Sequence, residues 1–87
     1  MTSDSRRIRY TSRAQRDLRR LDHQVARRVL QAIERLAEGD PRANVLKLSG
    51  ANEYRLRAGE WRVRFQRSPE SEIIILRILP RGRAYER

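Results

Sequence analysis

The stretch from Glu53 to Gln66, EYRLRAGEWRVRFQ, permits very few structures. Polar and apolar residues alternate on either side of Gly59–Glu60, which is the period of a half-buried strand. Glycine at the first central position of a two-residue loop suits a type II′ hairpin. With Gly59 and Glu60 as the central pair, Ala58 faces Trp61, Arg57 faces Arg62, Leu56 faces Val63, Arg55 faces Arg64 and Tyr54 faces Phe65. Side chains alternate across a strand. Tyr54, Leu56, Val63 and Phe65 therefore share one face, and Arg55, Arg57, Arg62 and Arg64 share the other. Like charges directly opposite each other destabilise a sheet by up to about 1 kcal/mol a pair. Two such pairs make sense where an anion sits between them. The alternative is a solvated outer face that is merely rich in arginine.

The other elements follow from periodicity. RRIRY, Arg6 to Tyr10, alternates as a short strand. Thr11 or Ser12 caps a first helix in which Ala14, Leu18 and Leu21 recur at helical spacing, and Asp22 offers a second N-cap that breaks the segment into a helical hairpin. The second helix spans roughly His23 to Glu38. Val25, Val29, Ile33 and Leu36 form its apolar stripe, widened by Ala26, Leu30 and Ala37. Gly39 is a C′ stop, and VLKLSGANE is a connector with room for a short extended piece. After the hairpin, SPES turns the chain into a run from Glu72 to Leu79 that is apolar on both faces, as in an interior strand. Pro80 ends it, and RGRAYER is a tail. The order β-α-α-β-β-β, helices first and then a mainly antiparallel sheet, predicts a small two-layer α+β domain. The 87 residues read as one such domain, spanning 1–87.

A formal net charge of +10, nearly all of it from arginine, points to an anionic partner. With no cysteine, disulfides and cysteine-based metal sites are excluded. The longest apolar run, Ile73 to Leu76, is far too short for a membrane span, so no membrane role is expected. The opening residues lack a signal-peptide pattern, and a cytoplasmic location is expected.

Taken together, the opening strand with Ala14, Arg16, Asp17, Leu18 and Leu21, the segment KLSGANEYRLRAGEWRVRF, and the closing Arg81, Ala84 and Tyr85 resemble the RelE/ParE superfamily of bacterial toxin–antitoxin toxins. The likeness runs over nearly the whole chain. It implies a compact toxin held inactive by a cognate acidic antitoxin, in a toxin–antitoxin hetero-oligomer. RelE-like members enter the ribosomal A site and cut mRNA. ParE-like members share the fold and poison DNA gyrase. The RelE-like branch is the favoured reading, because the family's catalytic positions are occupied.

The resemblance assigns Arg62 and Arg81 to phosphate stabilisation and Tyr85 to proton transfer or base stacking. The reaction is attack of a ribose 2′-OH on the adjacent phosphate, and it needs no metal or other cofactor. Arg55 and Arg57 stand where the best-known pattern has lysines. An arginine cannot give up its proton, so both can hold phosphate or rRNA but not act as bases, which leaves Tyr85 as the candidate base. Arg64 and Arg83 complete the expected RNA-binding set. Of the remaining residues, His23 reads as a surface residue, Trp61 as packing beside the turn, Glu60 as solvated and Glu53 as a partner for an arginine.

Overall fold

The structure is a computed structural model and describes residues 7–48 and 52–83. Five strands and two helices are arranged as β1 (Ile8–Tyr10), α1 (Ser12–Arg19), α2 (His23–Ala37), β2 (Val45–Leu48), β3 (Glu53–Ala58), β4 (Trp61–Arg67) and β5 (Ile73–Pro80), followed by a 3₁₀ turn at Arg81–Arg83. The predicted α+β class holds, with one addition to the order. The connector's short extended piece is a full edge strand, β2, because Val45 and Leu48 are half-buried and its backbone pairs with β3 from Val45–Leu56 to Leu48–Glu53.

The sheet order is β1-β5-β4-β3-β2. All neighbours are antiparallel except β1, which runs parallel to β5. The central hairpin has the register expected from its sequence, from Ala58–Trp61 to Tyr54–Phe65. Gly59 takes φ +62°, and Ser71 is the one non-glycine residue with positive φ among those described, so Glu60 does not share that conformation. A positive φ at the first central position alone is the type II′ pattern.

Both helices are bounded as their end residues dictate. The Thr11 hydroxyl accepts from the Ala14 N–H, and the Asp22 carboxylate accepts from the Gln24 N–H. At the far end of α2, Gly39 (φ +76°) lets its own N–H reach the Leu36 carbonyl and the Asp40 N–H reach the Arg35 carbonyl, which is the Schellman arrangement. The stripe of α2 buries Val29, Ile33, Leu36 and Ala37 against Leu56, Val63, Phe65, Ile73, Ile75 and Ile78 from the sheet. Helices therefore cover one face, and the arginine-bearing face lies opposite.

An irregularity at Arg64/Phe65 shifts the β4–β5 register, so that Arg64 pairs with Arg77 while Phe65 pairs with Ile75. Leu76 is the extra residue, and such a bulge resets which side chains point to which face. Ile73 and Ile75 before it, and Ile78 after it, all reach the core.

Gly59 meets no atom where a Cβ would stand, so any cost of replacing it lies in the backbone alone. Gly59→Ala should lower stability by about 1 kcal/mol, and Gly59→Asn by less, because asparagine tolerates positive φ. Urea denaturation of the two variants checks the order.

Candidate functional site: an arginine-lined groove

Register and alternation put Arg55, Arg64 and Arg77 in direct line across β3, β4 and β5. Three guanidinium groups in a row should repel. The chain answers with two of its own carboxylates. Glu53, two residues from Arg55 on the same face, ion-pairs with Arg64 through Nε and Nη2. Asp17, on α1, takes a two-pronged bond from Arg77: Nε donates to Oδ2 at 2.8 Å and Nη2 to Oδ1 at 3.2 Å. Paired arginine–carboxylate geometry of this kind is among the stronger polar contacts a protein makes.

Asp17 has a second task. β1 covers only the stretch of β5 from Ile73 to Ile75. Beyond it, the edge of β5 is taken over by α1. The Thr11 N–H donates to the Ile75 carbonyl, the Thr11 hydroxyl donates to the Leu76 carbonyl, and the Ile78 N–H donates to Asp17 Oδ2 at 2.9 Å. The Thr11 backbone and the Thr11 and Asp17 side chains thus replace a missing strand and keep this edge from pairing elsewhere. Burial pushes the Asp17 carboxyl up. The bonds from Arg77 and the Ile78 N–H, with the charges of Arg77 and Arg20, outweigh burial and hold it below the usual carboxylate range. The same contact raises Arg77.

On the β2 side of this face lies a groove of about 340 Å³ lined by Arg55, Arg57, Arg62 and Arg81, with Asn44, Val45 and Leu46. No carboxylate is among these lining residues. Arg57 and Arg81 are exposed. Arg62 is only 6% exposed, and its Nη1 donates to the carbonyls of Gly59 (2.8 Å) and Trp61 (3.0 Å). The hairpin turn therefore holds this guanidinium in place before any ligand arrives. Arg81 is brought alongside because its N–H bonds the Glu60 carbonyl at 2.9 Å, extending the β4–β5 ladder past Pro80.

Of the residues expected at the site, Arg55, Arg57, Arg62 and Arg81 meet in one groove. Arg64 is not among its lining; it faces a separate cleft beside α1 and is tied to Glu53. Arg83 ends the 3₁₀ turn; its side chain lies outside the described part of the chain, as do Ala84 and Tyr85. Sequence reasoning missed the burial of Arg62 and the role of Asp17. The period of α1 carried a signal for Asp17: Ala14, Leu18 and Leu21 mark the inward face, and Asp17 lies beside Leu18 at its border. His23 is exposed, and Trp61 packs half-buried on the core. Among the described residues no cluster of potential metal ligands occurs, and no helix is long and apolar enough to cross a membrane.

Comparison with known proteins places this architecture. A family model described as "ParE toxin of type II toxin-antitoxin system, parDE" matches residues 8–85. The chain belongs to the RelE/ParE superfamily and is a toxin of a type II toxin–antitoxin system. Among solved structures, the archaeal RelE–RelB complex from Pyrococcus horikoshii is similar at 32% identity and TM-score 0.76, over 92% of this chain and 99% of that one. The toxin–antitoxin complex RelBE2 from Mycobacterium tuberculosis is similar at 25% identity and TM-score 0.73, over 88% and 99%. The RelBE complex from E. coli, at 22% identity, TM-score 0.66 and coverage of 87% and 96%, shares the fold. No curated protein matches.

A depressed carboxyl pKa stabilises the fold above its unfolded value, near 4, and that contribution disappears as pH falls through the folded value. Asp17→Ala should cost about 2–3 kcal/mol near pH 7, since it leaves Arg77 and the Ile78 N–H without their acceptor. The gap between wild type and Asp17→Asn should narrow between pH 6 and pH 3. Denaturant titrations across that range give the comparison.

Proposed function

We propose that this toxin is a metal-independent, ribosome-dependent mRNA endoribonuclease that stops translation by cutting messages in the A site. The observation that carries this reading is the groove in which four arginines converge without a lining carboxylate. Attack of a 2′-OH on its neighbouring phosphate builds charge on the phosphoryl oxygens, and fixed donors aimed at that charge lower the barrier. Arg62, anchored to the turn carbonyls, suits this role because little reorganisation is needed when charge develops. Arg81 supplies a second cation from the opposite strand end. Arg55 and Arg57 hold the backbone of the RNA. Tyr85, two residues beyond Arg83, is the proposed base.

The proposed partners are the ribosome with its mRNA and a cognate acidic antitoxin. Solved relatives are complexes with RelB, and an acidic segment laid over the groove would neutralise it in this chain. Such a target places the toxin in the cytoplasm. A second reading has support of its own: the matching family model bears the ParE name, and on that branch the same cationic surface would inhibit gyrase without cutting anything.

Primer extension on messages in a translating extract separates the two. Cleavage within translated codons is expected, with gyrase supercoiling unaffected. Intact messages together with blocked supercoiling would select the ParE reading. In single-turnover cleavage, Tyr85→Phe should slow the reaction by roughly two to four orders of magnitude. Arg81→Ala and Arg62→Ala should slow it on the order of 10²–10³, while Arg55→Ala should act mainly on binding.

A further inference from the structure

A second cleft of about 440 Å³ opens where α1 crosses the end of β5. Its polar rim carries Arg13 and Arg20, both exposed. Positions 13, 17 and 20 follow one another along a single helix face, so both arginines flank Asp17. Arg64 and Arg77 also line the cleft but are bound to Glu53 and Asp17. The charge it offers to a ligand is therefore that of Arg13 and Arg20. The opposite wall is apolar: Leu21, Trp61, Leu79 and Pro80.

We propose that this cleft is a second RNA subsite, taking one nucleotide of a single strand, with the phosphate on Arg13 and Arg20 and the base against Trp61, Leu79 and Pro80. The proposal rests on the RNA-cleaving reading and adds a place where the substrate strand is gripped away from the bond being broken. Two observations favour RNA over an acidic peptide. A carboxylate needs the cations alone, whereas this cleft joins cations to an aromatic and apolar wall, the combination that binds single strands without regard to sequence. The cleft also adjoins the arginine groove: Leu79 pairs directly with Arg62, and Trp61 with Pro80. Trp61 and Pro80 lie on the helix side of the sheet and Arg62 and Leu79 on the open side, so an RNA strand passes from the groove to the cleft around the end where β4 begins and β5 ends.

Trp61 is the only tryptophan, so its emission reports on this cleft. The probe is a trinucleotide with 2′-O-methyl riboses, which binds but cannot be cut. Saturable quenching of Trp61 is expected. The double variant Arg13→Gln/Arg20→Gln should weaken binding tenfold or more, and Arg55→Gln/Arg57→Gln should weaken binding yet preserve quenching at saturation. Unchanged emission at saturation, or wild-type affinity in the Arg13/Arg20 variant, overturns the subsite. Equal quenching and displacement by a short poly-glutamate peptide overturns it in favour of a protein-binding cleft. The cleavage assay separates the two ideas: cut messages with a silent Trp61 leave the nuclease and remove the subsite, whereas intact messages with quenching do the reverse.

Discussion

The open face of this sheet depends on how a row of arginines is neutralised from within. Arg55, Arg64 and Arg77 stand side by side on three strands, an arrangement that self-repulsion would oppose. Glu53 and Asp17 reach Arg64 and Arg77. Because Asp17 also accepts the Ile78 N–H, one carboxylate docks α1 to the sheet, helps to seal the β5 edge and neutralises Arg77. Neutralisation covers the middle of the sheet and the α1 side. The groove by β2, with Arg57, Arg62 and Arg81, has no carboxylate among its lining residues, and it is there that the proposed function puts the anion.

That division bears on why the hairpin carries so many like charges. Arg64 is attached to Glu53, and Arg62 to the turn carbonyls, so both serve the fold itself. Arg62 does more than anchor the turn, because the anchored guanidinium is part of the groove wall. Both turn bonds use Nη1, one nitrogen of a guanidinium that carries five N–H donors against the three of a lysine. The positive φ of Gly59 supports the same arrangement, since its carbonyl is one of the two that fix Arg62.

Much of this was legible in the sequence, and the reason is local. Alternation about Gly59–Glu60 determined every pair of the central hairpin, and Thr11, Asp22 and Gly39 marked the helix ends through their own backbone chemistry. What could not be read came from distant parts of the chain. VLKL is too short and too exposed at Leu46 and Lys47 to declare itself a strand; it becomes one because β3 offers an edge. The bulge at Leu76 leaves no mark in an unbroken apolar run, and it alone brings Arg77 opposite Arg64. Asp17 and Arg77 are sixty residues apart, a pairing that no local pattern encodes. Of the candidate site, Arg62 and Arg81 came from family resemblance, and the ladder bond from Arg81 to Glu60 gives their proximity a physical cause.

Two kinds of arginine share one face: Arg64 and Arg77 are paired with carboxylates of the chain, and Arg57 and Arg81 are, on the proposed function, the ones that meet an external anion. The salt dependence of single-stranded RNA binding tests this division directly, because removing one arginine–phosphate pairing should lower the slope of log affinity against log salt by roughly 0.7. The account predicts a decrease of about that size for Arg57→Gln and again for Arg81→Gln, with Arg64→Gln and Arg77→Gln leaving the slope at the wild-type value in protein verified as folded. Equal decreases for all four substitutions, or a decrease confined to Arg64 and Arg77, would contradict it.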